Sequence, residues 1–236
     1  MKLSKMFFLV ALSFASFLKL NAQTVDEIVT RHVDAIGGVD NWRKVNSLHL
    51  EGSVTVQGTD VTVGITKLNA KGFRQDIMLA GMSGYQIITP VAGWSYMPFQ
   101  GQASVEAMTA EDVKEGQDQL DATGDLVDYQ QKGKKVELVG KDDVDGTECF
   151  KVNVTSKEGK TKTVFIDPKT YYIIRSIDKV KANGQEIEQT SNFSNFKRLP
   201  EGVTVPMSIS VPFGEIVITK VEINKPVDES IFKPAN

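Results

Sequence analysis

The chain has 236 residues, 41% of them hydrophobic, with 27 basic and 30 acidic side chains and a formal net charge of −3. That length suits one β domain, and an acidic balance without clustered Lys and Arg opposes nucleic-acid binding and gives no attraction to anionic membrane surfaces. With one cysteine, Cys149, an intrachain disulfide is excluded and stability must rest on the core.

The chain opens as a secretory signal peptide. Lys2 and Lys5 form a positive start, residues 6–18 are apolar, and Ala22 supplies the small residue before cleavage. A spanning helix needs roughly 20 apolar residues, and Lys19 ends this run well short of that. Residues 1–22 are therefore read as a cleaved leader and 23–236 as a single domain. Gln23, not cysteine, follows the cut, so the mature chain is expected to be periplasmic or secreted, with no lipid anchor and no membrane-spanning segment. Removing Lys2, Lys5 and Lys19 and no acid leaves 24 basic against 30 acidic residues.

The mature chain begins with a helix. Thr24 and Glu27 make a capping box, Val25, Ile28, His32 and Ile36 fall on one stripe, and Gly37-Gly38 stops it. A short second helix carries Trp42 and Val45. From Ser47 the period becomes two: Leu48, Leu50, Val54 and Val56 face one way, and Val61, Val63 and Ile65 continue after the turn at 57–60. Strands are predicted at 73–79, 85–89 and 94–97, a polar helix over 108–120 that lies across an opening or an edge, and a loop or short helix at 121–128. Strands resume at 136–140, 148–155, 161–166, 171–180, 186–196, 203–211 and 215–223. Asp145-Gly146 and Asn183-Gly184 are hairpin dipeptides, and Asp167-Pro168-Lys169-Thr170 reads as a type I turn. Pro206 sits inside an otherwise regular alternation, which predicts an edge strand or a bulge there. The tail, ending in Ile231 and Phe232, is expected to tuck against the sheet.

About a dozen short strands in up-and-down order predict a mainly β fold: one strongly curved antiparallel sheet or a barrel, with helices covering its concave face. No residues suggest catalysis. The two histidines, His32 and His49, are far apart with no cysteine nearby, so no metal site is predicted, and His32 reads as a structural histidine. Asp142, Asp143 and Asp145 lack the spacing and the Glu of a calcium loop. There is no G-x-S-x-G elbow, P-loop or G-x-G-x-x-G, and no cofactor is predicted. Cys149 alternates with Phe150, Val152 and Val154 and is placed on the opposite strand face, as a structural thiol. The remaining candidates are apolar. Met78, Met82, Trp94, Tyr96, Phe99 and Met108 cluster in sequence with Leu79 and Met97. Flexible Met and flat aromatics suit a pocket for a variable apolar ligand; the plainer alternative is that they fill an ordinary core.

Three segments carry a resemblance. Ala35-Ile36-Gly37-Gly38 with Asp40, Trp42, Val45 and Ser47-Leu48; Asp145-Gly146, Phe150-Lys151-Val152 and Phe165 to Tyr171; and the close Pro226-x-Asp228-x-Ser230-x-Phe232 are together similar to the LolA-like outer-membrane lipoprotein-sorting superfamily. The resemblance implies an incomplete β-barrel around a hydrophobic cavity with helices as a lid. It implies a non-enzymatic, monomeric carrier of an acyl chain, lipoprotein lipid or other apolar ligand. The alternative is a cell-envelope interaction or sensor module that docks a protein partner without lipid cargo.

Overall fold

The computed structural model describes residues 23–182 and 185–234. The leader expected over 1–22 and the Asn183-Gly184 turn lie outside the described residues.

Helix α1 (Val25–Ala35) forms where the capping box predicts it: the Glu27 amide donates to Thr24 Oγ1 at 3.2 Å, and the Thr24 amide donates to Glu27 Oε2 at 3.0 Å. Helix α2 (Val39–Trp42) follows Gly38. Five strands then run in succession: β1 (Ser47–Val56), β2 (Thr59–Leu68), β3 (Gly72–Leu79), β4 (Met82–Ile88) and β5 (Gly93–Tyr96), with a two-residue β6 (Glu106–Ala107). The long polar helix expected over 108–120 is a single short helix, α3 (Ala110–Glu115), followed by a 3-10 turn at Gln117–Leu120. The break falls at Gly116, which lies so close to the sheet that an added Cβ would meet Ile88 Cδ1 at 2.4 Å.

After an irregular stretch the strands resume as β7 (Lys135–Val144), β8 (Thr147–Thr155), β9 (Thr161–Ile166), β10 (Ile173–Ala182) and β11 (Gln185–Ser194). β7 is longer than predicted because Asp142 and Asp143 pair with Cys149 and Glu148 and extend the ladder toward the Asp145-Gly146 turn. The strand expected at 203–211 is split. β12 (Lys197–Arg198) and β13 (Thr204–Val205) make a small ribbon, and β14 (Ser208–Val211) belongs to the main sheet. Pro206 stands at that break, where its missing N–H would interrupt a ladder. β15 (Gly214–Ile223) ends the strand set.

Thirteen strands form one sheet in the order β6-β5-β4-β3-β2-β1-β15-β14-β11-β10-β9-β8-β7, and every pairing is antiparallel. The first meander runs outward from β1 to β6. The second runs inward from β7 to β15, and β15 pairs with β1. The fold is thus mainly β, with three α-helices among the described residues and one large sheet. Since β6 and β7 lie at opposite edges, the chain between them must cross from one end of the sheet to the other. α3 makes that crossing visible. Its neighbour Gly116 touches Ile88 on β4, while Glu115 accepts from Lys160, in the β8–β9 turn, at 3.1 Å through both its backbone oxygen and its carboxylate.

One apolar cluster joins α1, α2, β1, β8, β9 and β15 through Ile28, Trp42, Leu48, Val152, Ile166 and Ile223. On the other sheet face, Leu68, Tyr85 and Ile87 pack under the C-terminal tail. Phe232 fits so tightly there that a Cβ on Gly72 would meet its ring at 2.4 Å. Cys149 lies on that same opposite face with Val144 and Phe165, away from Phe150, Val152 and Val154, as the alternation predicts.

Candidate functional site

Between the main sheet and the helical cover lies a cavity of about 390 Å³, inside the range of about 300–1,000 Å³ usual for ligand pockets. The sheet contributes Leu48 and Leu50 of β1, Val164 of β9, Phe193 of β11, Ile209 of β14 and Ile218 of β15. The period of two puts these side chains on one face across five strands. Opposite them stand His32 of α1 and its C-cap Ile36, Trp42 of α2 and the segment 121–127. Trp42 satisfies its only polar atom by donating Nε1–H to Ile36 O at 3.0 Å, which leaves the ring as apolar wall. Arg43 holds the cover segment with two 2.7 Å hydrogen bonds to Asp128.

His32 is buried, and its Nδ1 lies 2.7 Å from Tyr171 O. A carbonyl only accepts, so Nδ1 carries the proton and Nε2 is left as an acceptor. Burial outweighs that hydrogen bond and lowers the His32 pKa to about 4, so the ring is neutral at neutral pH. Tyr171 presents its carbonyl from a left-handed conformation, φ 57°. Asp167 fixes the turn by accepting from the Lys169 amide at 2.9 Å and from Thr170 Oγ1 at 2.8 Å. The Tyr171 hydroxyl accepts from Arg31 Nη1 at 2.8 Å and from Gln23 Nε2 at 3.1 Å. One residue thereby clamps α1 over the cavity.

One end of the cavity is charged. Lys67 of β2 and Lys162 of β9 line it beside Asp121, Thr123 and Asp125. Lys162 Nζ sits 3.2 Å from Asp125 and 3.1 Å from Asp178. Lys134 pairs with Asp125 and with Asp118, and Lys132 pairs with Asp121 at 2.6 Å. Lys67 differs: its Nζ donates to the backbone oxygen of Asp121 at 3.1 Å and stands 5.9 Å from the centre of the Phe73 ring. Burial would raise the Asp125 carboxyl, but Lys162 and Lys134 outweigh it and hold the group well below the usual carboxylate range. For Lys67 burial wins over Asp121 and Asp125, and its pKa is lowered.

The six residues picked out from the sequence do not converge. Register places Trp94 opposite Ile87 and Tyr96 opposite Tyr85, so both lie on the sheet face away from the cavity. Met78 pairs with Ser83 on that face and is 52% exposed. Met82, 43% exposed, pairs with Leu79 on the cavity face. Phe99 lies close to Gly84, and Met108 packs on Phe73, Ile88 and Leu120. None of the six is among the cavity-lining residues. Sequence reasoning passed over Lys67, Lys134 and Lys162, although the signal was present. Lys67 is in phase with Val61, Val63 and Ile65, Lys162 with Val164 and Ile166, and Lys134 with Val136 and Leu138. Among the described residues, no group of three or more His, Cys, Asp or Glu is placed to hold a metal, and no helix is long and apolar enough to cross a membrane.

These features define a mainly β protein that carries an apolar cavity between one large antiparallel sheet and a helical cover. The architecture is LolA-like, so the resemblance read from caps and turns holds at the level of the fold. The chain is similar to a LolA superfamily protein from Nitrosomonas europaea, with a TM-score of 0.54 and 11% identity over 89% of this chain and 98% of that one. It is also similar to a domain from Vibrio parahaemolyticus designated an outer membrane lipoprotein-sorting protein, with a TM-score of 0.50 and 12% identity over 87% of this chain and 94% of that one. No protein-family model matches the sequence, and no curated protein matches it.

Proposed function

We propose that this chain is an exported, non-enzymatic carrier that holds an acyl chain, a lipoprotein lipid or another apolar ligand in the cavity under α1, with the sheet rolled around it as an incomplete barrel. The observation that carries the reading is the cavity itself: about 390 Å³, walled by aliphatic and aromatic side chains on both sides. The rolled sheet is supported by α3, which with its flanking glycine reaches both Ile88 on β4 and Lys160 beside β9. In a flat sheet β4 and β9 would stand eight strand spacings apart, about 38 Å, whereas a six-residue helix is about 9 Å long. The fold shared with a lipoprotein-sorting domain and the leader read from the sequence agree with a periplasmic or secreted carrier. Each methylene transferred into such a site contributes about 0.8 kcal/mol, so ten contribute about 8 kcal/mol before the cost of ordering the chain.

The test is lipid extraction and mass spectrometry of protein purified from exporting cells, together with uptake of a fluorescent fatty acid. Ile209→Trp, which fills the cavity, is expected to abolish uptake while the circular dichroism spectrum is kept. Trp94→Glu probes the other location, Trp94, Tyr96 and Met78 of the residues predicted from the sequence, on the far sheet face. Loss of uptake in Trp94→Glu with none in Ile209→Trp would move the ligand to that patch. A protein that yields no lipid and takes up no probe would sink the carrier reading.

A second reading, an envelope interaction module, draws on the exposed apolar residues Met78, Met82, Phe213 and Val217. They lie near the β3–β4 and β14–β15 hairpin ends, which the register places at one end of the sheet. A stoichiometric protein partner captured by crosslinking in cells at those positions, without bound lipid, would favour it.

A further inference from the structure

The charged end of the cavity leaves most of its spare bonding capacity on one group. Asp121 Oδ1 accepts from the Thr123 amide and hydroxyl, both at 2.8 Å, and its Oδ2 is taken by Lys132 at 2.6 Å. Both oxygens of Asp125 are taken, by Lys134 and by Lys162. Lys162 is shared between Asp125 and Asp178. Thr123 Oγ1 both donates to Asp121 and accepts from Lys132. An ammonium has three donors, and among the described residues Lys67 uses one of them, on a backbone carbonyl. It is also the cation at this end that faces no carboxylate within ion-pair distance.

We infer that Lys67 is the head-group anchor of the cavity, and that the ligand is a single-chain amphiphile whose carboxylate lies on the two remaining Lys67 donors with its hydrocarbon along Leu50, Phe193 and Ile209. This rests on the carrier reading and specifies its ligand. Three observations support it. An incompletely bonded ammonium beside an apolar wall is costly unless a charged or strongly accepting group meets it. The cavity of about 390 Å³ lies near the small end of the ligand-pocket range, which suits one chain over two. A carboxylate brings one negative charge and two acceptor oxygens, matching two free donors, whereas a phosphate dianion would add charge beside Asp121 and Asp125. Binding displaces no existing ion pair, because the other three lysines keep their partners.

The experiment measures dodecanoate, methyl dodecanoate and dodecyl phosphate by displacement of an uncharged fluorophore from the purified mature protein at pH 7. Dodecanoate is expected to bind at least tenfold tighter than its methyl ester. Lys67→Met should erase that preference, and Lys67→Arg, which keeps the charge, should retain it. Lys71→Met, at an exposed pair with Glu229, controls for net charge and should behave as the parent. Equal binding of acid and ester by the parent, or a preference that survives Lys67→Met, would overturn the assignment while leaving the apolar cavity standing. Tighter binding of dodecyl phosphate than of dodecanoate would overturn the carboxylate and replace it with a phosphate head. If neither acid nor ester displaces the fluorophore, the carrier reading fails along with it.

Discussion

Acidification from pH 7 to pH 5 should weaken this fold through one residue. His32 is buried and its pKa is lowered to about 4 from an ordinary 6.5, first because burial disfavours the cation and despite the hydrogen bond to Tyr171 O. In the unfolded chain the ring protonates as pH falls through 6.5, while in the folded protein it stays neutral until about 4. The unfolded state therefore binds more protons in that window, and stability is fully present above 6.5 and lost as pH falls toward 4. A separation of about 2.5 pH units is worth about 3 kcal/mol in full, of which about 2 kcal/mol is already lost between pH 7 and pH 5. The lowered carboxylates Glu51, Asp125, Asp128, Asp142 and Asp228 have unfolded values of 3.8 to 4.5. They contribute stability that is lost as pH falls below that range, so they add little above pH 5. The assay is urea unfolding at constant ionic strength at pH 7, 6 and 5, followed through the buried Trp42. His32→Asn keeps an N–H donor for Tyr171 O and removes the titration; its stability should be nearly flat across the window. A parent stability that does not change from pH 7 to 5, or an unchanged slope in His32→Asn, would refute the reasoning.

Lys134→Met should destabilise the protein by about 3 kcal/mol in urea unfolding, because Lys134 is buried between Asp118 and Asp125 and its loss leaves Asp125 with Lys162 alone; a change below about 0.5 kcal/mol would show that the cluster is not structural. Phe232→Ala should cost about 3 kcal/mol, since the ring seals Leu68, Tyr85 and Ile87, with hydrogen exchange in β3 and β4 reporting the loosened tail. Burial pushes the Cys149 thiol up to about 11, so a thiol reagent at pH 8 should label it only after unfolding, and rapid labelling of the native protein would contradict its place behind Val144 and Phe165. Tyr171→Phe removes the hydroxyl that Arg31 and Gln23 hold and should increase hydrogen exchange in α1 with little change in global stability.

Much of the local structure was legible from particular residues. Thr24 and Glu27 start α1 because a short-range exchange of hydrogen bonds satisfies its free amides, and Asp145-Gly146 closes β7 onto β8 because both residues adopt positive φ. The period of two placed Cys149 behind the sheet and Leu48 and Leu50 before it. The same period carried Lys67 and Lys162 onto the apolar face, a signal that stands out only once a charged residue in phase with valines is treated as deliberate.

The sequence by itself determined most of the elements, their caps and turns, and which side chains of a strand share a face, since those depend on residues a few positions apart. The tertiary structure decided the rest. Nothing local dictates that β15 pairs with β1, that the chain crosses from β6 to β7 through α3, or that Trp94 and Tyr96 lie behind the sheet while Phe193 and Ile209 line the cavity. Those outcomes depend on which strands become neighbours, and that is chosen by burial summed over the whole sheet. The charged end of the cavity arises in the same way: Lys67 and Lys162, 95 positions apart in the chain, meet Asp121 and Asp125 only after the sheet and its cover have closed on one another.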